Sequence, residues 1–292
     1  MPLPDALYRL DAAAPPYLAY FGLSEPPFGL TPDTQFLCAT QSHREAINTL
    51  LVALSSGEGF LKIVGEVGTG KTLLCRRLLK TLAGEARTAY IPNPQLSPDE
   101  LLLALAEEFG LSADAAEGGN AQRIRTLNAA LLDNAQAGQR VVVLIDEAQA
   151  LPLESLETLR LLSNLETEKR KLMQIVLFGQ PELDTHLNDP SIRQLKQRIA
   201  FSYRLGTLSV TELPVYLAQR LKVAGAPLEG ELFSPAACRL LHKASKGTPR
   251  LVNILANKAL MAAFGQGHPR IEPRHVRAAI EDTEGVKLPF WW

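Results

Sequence analysis

Cysteine, tryptophan and methionine are scarce in this chain of 292 residues, which holds three, two and three of them. Cys38, Cys75 and Cys238 lie too far apart to form a metal-type pair, and three thiols make no disulfide framework. Small buried hydrophobes in a reducing compartment are the expectation. An excess of charge of one sign is also missing: 30 Lys and Arg stand against 31 Asp and Glu, a net −1, so no global field holds nucleic acid or anionic lipid. Long apolar runs are lacking too. The best, Val141–Ile145, stops at Asp146, far short of the roughly 18 to 20 residues that span a bilayer. The opening stretch MPLPDALYRLDAAAPP has no basic start followed by an apolar block and is not read as a secretory signal. The expectation is a soluble cytoplasmic protein.

What is present suffices for a substantial core, since 46% of the residues are hydrophobic and 21% charged. The charge is unevenly spread. Residues 1–206 carry −5, whereas 207–292 carry +4.

Residues 1–40 are rich in proline and aromatics (Pro15, Pro16, Tyr17, Tyr20, Phe21, Pro26, Pro27, Phe28), a pattern of extended chain forming a cap. From 41 to 206 strand and helix signals alternate. Apolar runs at Phe60–Val64, Thr88–Ile91, Val141–Ile145, Leu172–Phe178 and Ile199–Leu205 read as strands, and His43–Leu54, Leu73–Leu82, Ile124–Ala135 and Leu153–Leu165 as helices. Ser97-Pro98-Asp99-Glu100 supplies an N-cap, a first-turn proline and a reciprocal carboxylate, so another helix starts there. Ala113–Asn120 reads as a loop. This order predicts an α/β fold, a parallel sheet between helical layers. After Gly206 strands cease: Thr211–Val223, Pro235–Ala244, Pro249–Phe264 and Pro273–Asp282 predict a small all-helical domain over 207–283, with an aromatic tail at 284–292.

Chemistry concentrates at two places. Gly65-Glu66-Val67-Gly68-Thr69-Gly70-Lys71-Thr72 matches the phosphate-loop pattern and lies between a predicted strand and a predicted helix. Glycines let consecutive N–H groups curl round phosphates, and a helix start adds its positive end. Lys71 would neutralise the β- and γ-phosphates of a nucleotide, and the Thr72 hydroxyl would ligate Mg²⁺. The competing reading is a glycine turn that binds nothing. Asp146-Glu147 closes an apolar strand 74 residues after Thr72, where a parallel sheet presents ligand-binding groups. Asp146 would hold Mg²⁺, and Glu147 would orient and polarise an attacking water. A surface turn is the alternative there.

Further candidates follow. Gln180, after the strand 172–178, could touch the γ-phosphate or the water, or merely precede Pro181 in a turn. Arg250, in Lys246-Gly247-Thr248-Pro249-Arg250, could clamp phosphates from the helical domain or be a surface arginine. Arg193, Lys196 and Arg198 lie between the Gln180 strand and the second domain; a cation at the end of a core-domain helix faces solvent or, in an oligomer, the γ-phosphate of a neighbouring subunit. Such an arginine is worth roughly 10³ to 10⁵ in rate, so a subunit relying on Arg198 in trans would be nearly inert alone.

This order of parts resembles the AAA+ ATPase superfamily of P-loop NTPases. Within it, Tyr20-Phe21-Gly22-Leu23, Pro27-Phe28, Thr31-Pro32-Asp33, Ser42-His43-Arg44-Glu45-Ala46, Asp146-Glu147-Ala148-Gln149, Phe178-Gly179-Gln180-Pro181-Glu182-Leu183 and Gly247-Thr248-Pro249-Arg250 resemble the general secretion pathway protein A (ExeA/GspA) type. The short MSHA pilus biogenesis (MshM-like) relative is the nearer pattern. The resemblance implies a five-stranded αβα sandwich ordered 5-1-4-3-2, a helical lid, ATP and Mg²⁺, and a homo-oligomer such as a hexameric ring. It also implies Gln180 as sensor 1, Arg250 as sensor 2, Arg198 as arginine finger, and the segment about His43-Arg44-Glu45 near the adenine. Longer family members continue through a membrane helix into a peptidoglycan-binding module. This sequence stops at Trp292, which favours the short relative and an inner-membrane pilus or secretion assembly protein as partner.

The expected activity is therefore ATP hydrolysis driving a motor or switch in assembly of a type IV pilus or type II secretion-like machine. Two rivals stand beside it. A DNA remodeller of the transposition or replication-initiation kind has footing in Arg270, Arg274, His275 and Arg277, though without a separate DNA-binding module. A slow nucleotide-occupancy scaffold would not need Glu147 beside the metal-binding aspartate.

Overall fold

The computed structural model describes residues 15–31, 40–111, 119–166, 171–226 and 231–287. Cys38, most of the 113–120 loop and the Phe290-Trp291-Trp292 tip lie outside them. The chain divides into two compact units, Gln41–Gly206 and a second built from the segment before Gln41 and the chain from Thr207 on.

The first unit alternates helix and strand: α2 (Gln41–Ser55), β1 (Phe60–Gly65), α3 (Lys71–Leu82), β2 (Ala86–Ile91), α4 (Pro98–Glu108), α5 (Asn120–Gln136), β3 (Arg140–Ile145), α6 (Leu153–Leu162), β4 (Gln174–Gly179), the short α7 (Glu182–His186) and α8 (Arg193–Lys196), and β5 (Ile199–Leu205). Every strand pairing is parallel, in the order β2-β3-β4-β1-β5. Read from the other edge, this is the order the resemblance implied. The sheet is covered on both faces, so its strands read as continuous apolar runs while still alternating in direction. Val141, Val143 and Ile145 of β3 join the core beneath α4, α5 and α6, and Val142 and Leu144 join the core beneath α2 and α3. The Ser97 signal is realised in full. The Ser97 backbone N–H donates to Glu100 Oε2 at 2.8 Å, and Ser97 Oγ accepts from the Glu100 N–H at 3.4 Å. A cap of this kind is worth about 1 kcal/mol.

The second unit holds α1 (Pro16–Phe21), α9 (Glu212–Val223), α10 (Pro235–Ser245), α11 (Pro249–Gly265) and α12 (Pro273–Glu281). Here the N-terminal expectation is corrected. Residues 15–31 differ from plain extended chain: they contain a short helix, and Tyr17, Leu18, Phe21, Leu23 and Phe28 are buried in one core with the four later helices. The cause is local and energetic. Pro16 suits a first helical turn, where its missing N–H leaves nothing unpaired, and Gly22 ends the helix at φ 69°. Each large apolar side chain gains about 1.5–3 kcal/mol by burial, which outweighs extended chain on a surface. Arg220 of α9 fastens the segment: its Nε donates to the Pro27 carbonyl at 2.6 Å, Nη2 to the Gly29 carbonyl at 3.3 Å and Nη1 to the Tyr216 hydroxyl at 3.1 Å.

Candidate functional site

Parallel strands bring their C-terminal ends to one edge, so residues far apart in sequence meet there. Val64 of β1 lies beside Gly179 of β4, and Ile145 of β3 beside Leu177 of the same strand. The phosphate loop, Asp146-Glu147 and Gln180 therefore emerge together.

The loop Gly65–Thr72 turns from β1 into α3. Gly68 and Gly70 sit at φ 81° and 97°, conformations that side-chain-bearing residues adopt only under strain. A Cβ on Gly70 would lie 2.7 Å from His43 Nε2, so this glycine is also required by the imidazole packed against it. The Thr69 hydroxyl donates to the Glu66 carbonyl at 2.8 Å and fixes the curl. Lys71 is buried, and its Nζ donates to the carbonyls of Gly65 at 2.8 Å and Glu66 at 3.1 Å. Burial lowers its ammonium pKa, against the opposing pull of Glu147, Asp146, Glu66 and Glu182. The first N–H groups of α3 have no intrahelical acceptor and add positive potential at the same place.

Asp146 follows β3 and is 2% exposed. Its backbone N–H donates to the Ile91 carbonyl at 3.0 Å, which holds it at the sheet edge. Burial raises its carboxyl pKa, opposed by hydrogen bonds from the Thr72 hydroxyl and the Glu147 N–H. A hydroxyl and a carboxylate are the hard oxygen donors that suit Mg²⁺, and the buried carboxylate has a charge that a cation would neutralise.

Glu147 adopts φ 50°, ψ 37°, a left-handed conformation that costs a non-glycine residue about 1–3 kcal/mol. Its N–H donates to Asp146 Oδ1 at 3.0 Å. Two side-chain amides converge on Oε2: Gln149 Nε2 at 2.6 Å and Gln180 Nε2 at 3.0 Å. Gln149 Oε1 accepts from the Gln180 backbone N–H at 2.9 Å. Burial pushes the Glu147 pKa up, but the amides of Gln149 and Gln180 and the charge of Lys71 bring it below its usual value. The group is an ionised carboxylate at neutral pH.

Of the residues expected from sequence, Gly65–Thr72, Asp146, Glu147 and Gln180 come together. Arg198 is half-buried and donates through Nη1 to Ser163 Oγ at 3.3 Å, beyond α6. Arg193 is exposed at the start of α8. Arg250 is exposed in the first turn of α11, in the other unit. Just before it, Lys246 and Gly247 take φ 51° and 70°, and a Cβ on Gly247 would stand 2.0 Å from the Leu208 carbonyl oxygen. Only glycine allows that approach. Gln149 was not expected to take part, although it stood within the quoted Asp146-Glu147-Ala148-Gln149 run; the signal was an amide two residues beyond the acidic pair.

Residues 54–187 match the family model described as AAA domain. Those residues are similar to that domain family. Over 276 residues it is 43% identical to the general secretion pathway protein A of Aeromonas hydrophila, which covers 94% of this chain and 50% of that protein. The chain thus spans about half the length of that relative. The Cdc6p of Pyrobaculum aerophilum is similar in structure with a TM-score of 0.67 at 20% identity, over 88% of this chain and 70% of that one. The ORC2 protein of Aeropyrum pernix, solved as ADPNP–ADP complexes, gives 0.63 at 20%, over 90% and 72%. The RuvB branch migration motor of Thermotoga maritima gives 0.52 at 18%, over 83% and 69%. The fold is that of the AAA+ ATPases: a parallel five-stranded αβα sandwich followed by a helical part. No helix among the described residues is long and apolar enough to cross a membrane.

Proposed function

We propose that the chain binds ATP with Mg²⁺ and hydrolyses it to ADP and phosphate, as the nucleotide-driven motor or switch of an envelope assembly machine. The convergence of Lys71, Thr72, Asp146, Glu147 and Gln180 on one sheet edge carries this reading. The Gly65–Lys71 main chain and the α3 terminus cradle the phosphates, and Lys71 leaves its carbonyl partners to meet the β- and γ-phosphates. Thr72 and Asp146 hold Mg²⁺, which when bound neutralises charge on the phosphate oxygens. Glu147, with Oε2 held by two amides, turns its other oxygen to a water and accepts its proton. Gln180 orients that water or the terminal phosphate.

The relative's printed name supports a role in the general secretion pathway, and the finer reading is a type IV pilus of the MSHA kind. Arg198 acts in trans as the arginine finger of a homo-oligomer, a hexameric ring, with Arg250 reading the nucleotide from the helical unit. An inner-membrane pilus or secretion protein is the partner, and the chain works on the cytoplasmic side. A DNA-remodelling role draws support from the cations Arg270, Arg274 and Arg277 and from the fold shared with ORC2 and RuvB. The deciding experiment is Glu147→Gln. It should bind ATP, cut turnover to a small residual rate and trap the oligomer; undiminished turnover refutes the assignment of the base. Stimulation by DNA that fades with rising salt would favour the remodeller.

A further inference from the structure

Glu147, Gln149 and Gln180 form a closed ring of hydrogen bonds. Gln149 Nε2 donates to Glu147 Oε2 at 2.6 Å, Gln180 Nε2 donates to the same oxygen at 3.0 Å, and the Gln180 backbone N–H donates to Gln149 Oε1 at 2.9 Å. The two glutamines are not equivalent. Gln180 holds Glu147 with a side-chain amide, which is free to rotate toward an incoming phosphate or water. Gln149 is fixed to the end of β4 through a main-chain N–H, which cannot turn away.

The orientation of the Gln149 amide is determined. Exchanging its oxygen and nitrogen would set a carbonyl against a carboxylate and an NH₂ against an N–H. No side chain lacking either a donor or an acceptor satisfies both neighbours at once. The backbone beneath it is equally held: Glu147 is left-handed, Ala148–Ala150 form a single 3-10 turn, the Ala150 N–H donates to the Glu147 carbonyl at 2.8 Å, and Ala148 is fully buried. The ring therefore joins the loop after β3 to the end of β4 through one amide.

We propose that Gln149 is a positioning residue for hydrolysis: it keeps the Glu147 carboxylate tied to the end of β4 when the Gln180 side chain turns to the nucleotide. The inference rests on the ATPase reading above. Gln149 touches no phosphate and is given no part in binding, so its loss acts on the chemical step alone.

The test compares wild type with Gln149→Met, which keeps the length and shape but neither hydrogen bond, and Gln149→Glu, which keeps the acceptor but sets a second carboxylate against Glu147. ATPase kinetics are measured alongside the Kd of a fluorescent ATP analogue. Both variants should lose about tenfold to a hundredfold in kcat, the order expected when a reacting group is misplaced by roughly 1 Å. KM and the analogue Kd should stay within about twofold of wild type. In a Glu147→Gln background, Gln149→Met should lower the residual rate by less than about twofold, since the residue through which it acts is already gone. A full kcat for Gln149→Met overturns the proposal. So does loss of analogue binding, which would make Gln149 a structural support of the nucleotide site, and so does a fully additive fall in the Glu147→Gln background. Absence of ATPase activity in the wild type would sink the ATPase reading instead, and the two failures are thereby distinguished.

Discussion

Gly70→Ala perturbs the phosphate loop at a position where two separable effects coincide. At φ 97° a Cβ brings the left-handed backbone penalty, about 1–2 kcal/mol. The same Cβ would lie 2.7 Å from His43 Nε2, and His43 is buried. Forcing the ring aside is an overpacking effect of about 1–3 kcal/mol. The sum, about 2–5 kcal/mol, should move the urea midpoint down by roughly 1–2.5 M at an m-value near 2 kcal/mol/M. A double-mutant cycle with His43→Ala separates the parts. Removing the ring makes room for the methyl group, so the double variant should recover about 1–3 kcal/mol relative to additivity, while the backbone penalty persists. A loss under about 0.5 kcal/mol for Gly70→Ala, or strict additivity with His43→Ala, would refute this account of why the loop ends in glycine.

Arg220→Met should destabilise the helical unit by about 3–5 kcal/mol, since two carbonyls and the Tyr216 hydroxyl lose a charged donor; thermal melts followed by Tyr fluorescence check this. The His275 ring caps α12: Nδ1 accepts from the Glu272 N–H at 3.0 Å, while Nε2 lies 3.1 Å from His268 Nδ1. Burial, with the Arg274 charge, lowers the pKa of His275 in the fold, so below the unfolded value near 6.5 the unfolded chain takes up a proton that the folded one refuses. Stability should fall as the pH drops from about 7 to 5, and His275→Asn should flatten that slope in urea titrations at fixed pH. With Cys38 replaced by serine, Cys75 and Cys238 should resist Ellman's reagent at pH 8 until the chain unfolds: burial raises both thiols, Cys238 to about 11. Arg198→Ala should abolish the rise of specific ATPase activity with protein concentration while leaving nucleotide binding intact; an unchanged concentration dependence would remove Arg198 from the active site.

Much of this was legible in the sequence because local and global signals agree. The Ser97–Glu100 capping box, the apolar run of β3 and the glycines of the phosphate loop each have one physical solution. The parallel sheet then assembles Lys71, Asp146 and Gln180 without further instruction. The N-terminal segment was less transparent, because Pro15-Pro16 and Pro26-Pro27 read as extended chain. The burial of Tyr17 and Phe28 depends on helices some 200 residues later and on Arg220, an interaction that no local pattern announces. Gln149 escaped for a related reason. Its role needs the left-handed turn at Glu147 and the main chain of Gln180, which only the folded sheet edge brings together.

The central claim is that the Gly65–Thr72 cradle takes up a nucleoside triphosphate. Titration calorimetry of ATP with Mg²⁺ should show one site per chain, with heat that vanishes for a folded Lys71→Ala variant. No uptake by well-folded wild type at millimolar ATP would contradict it.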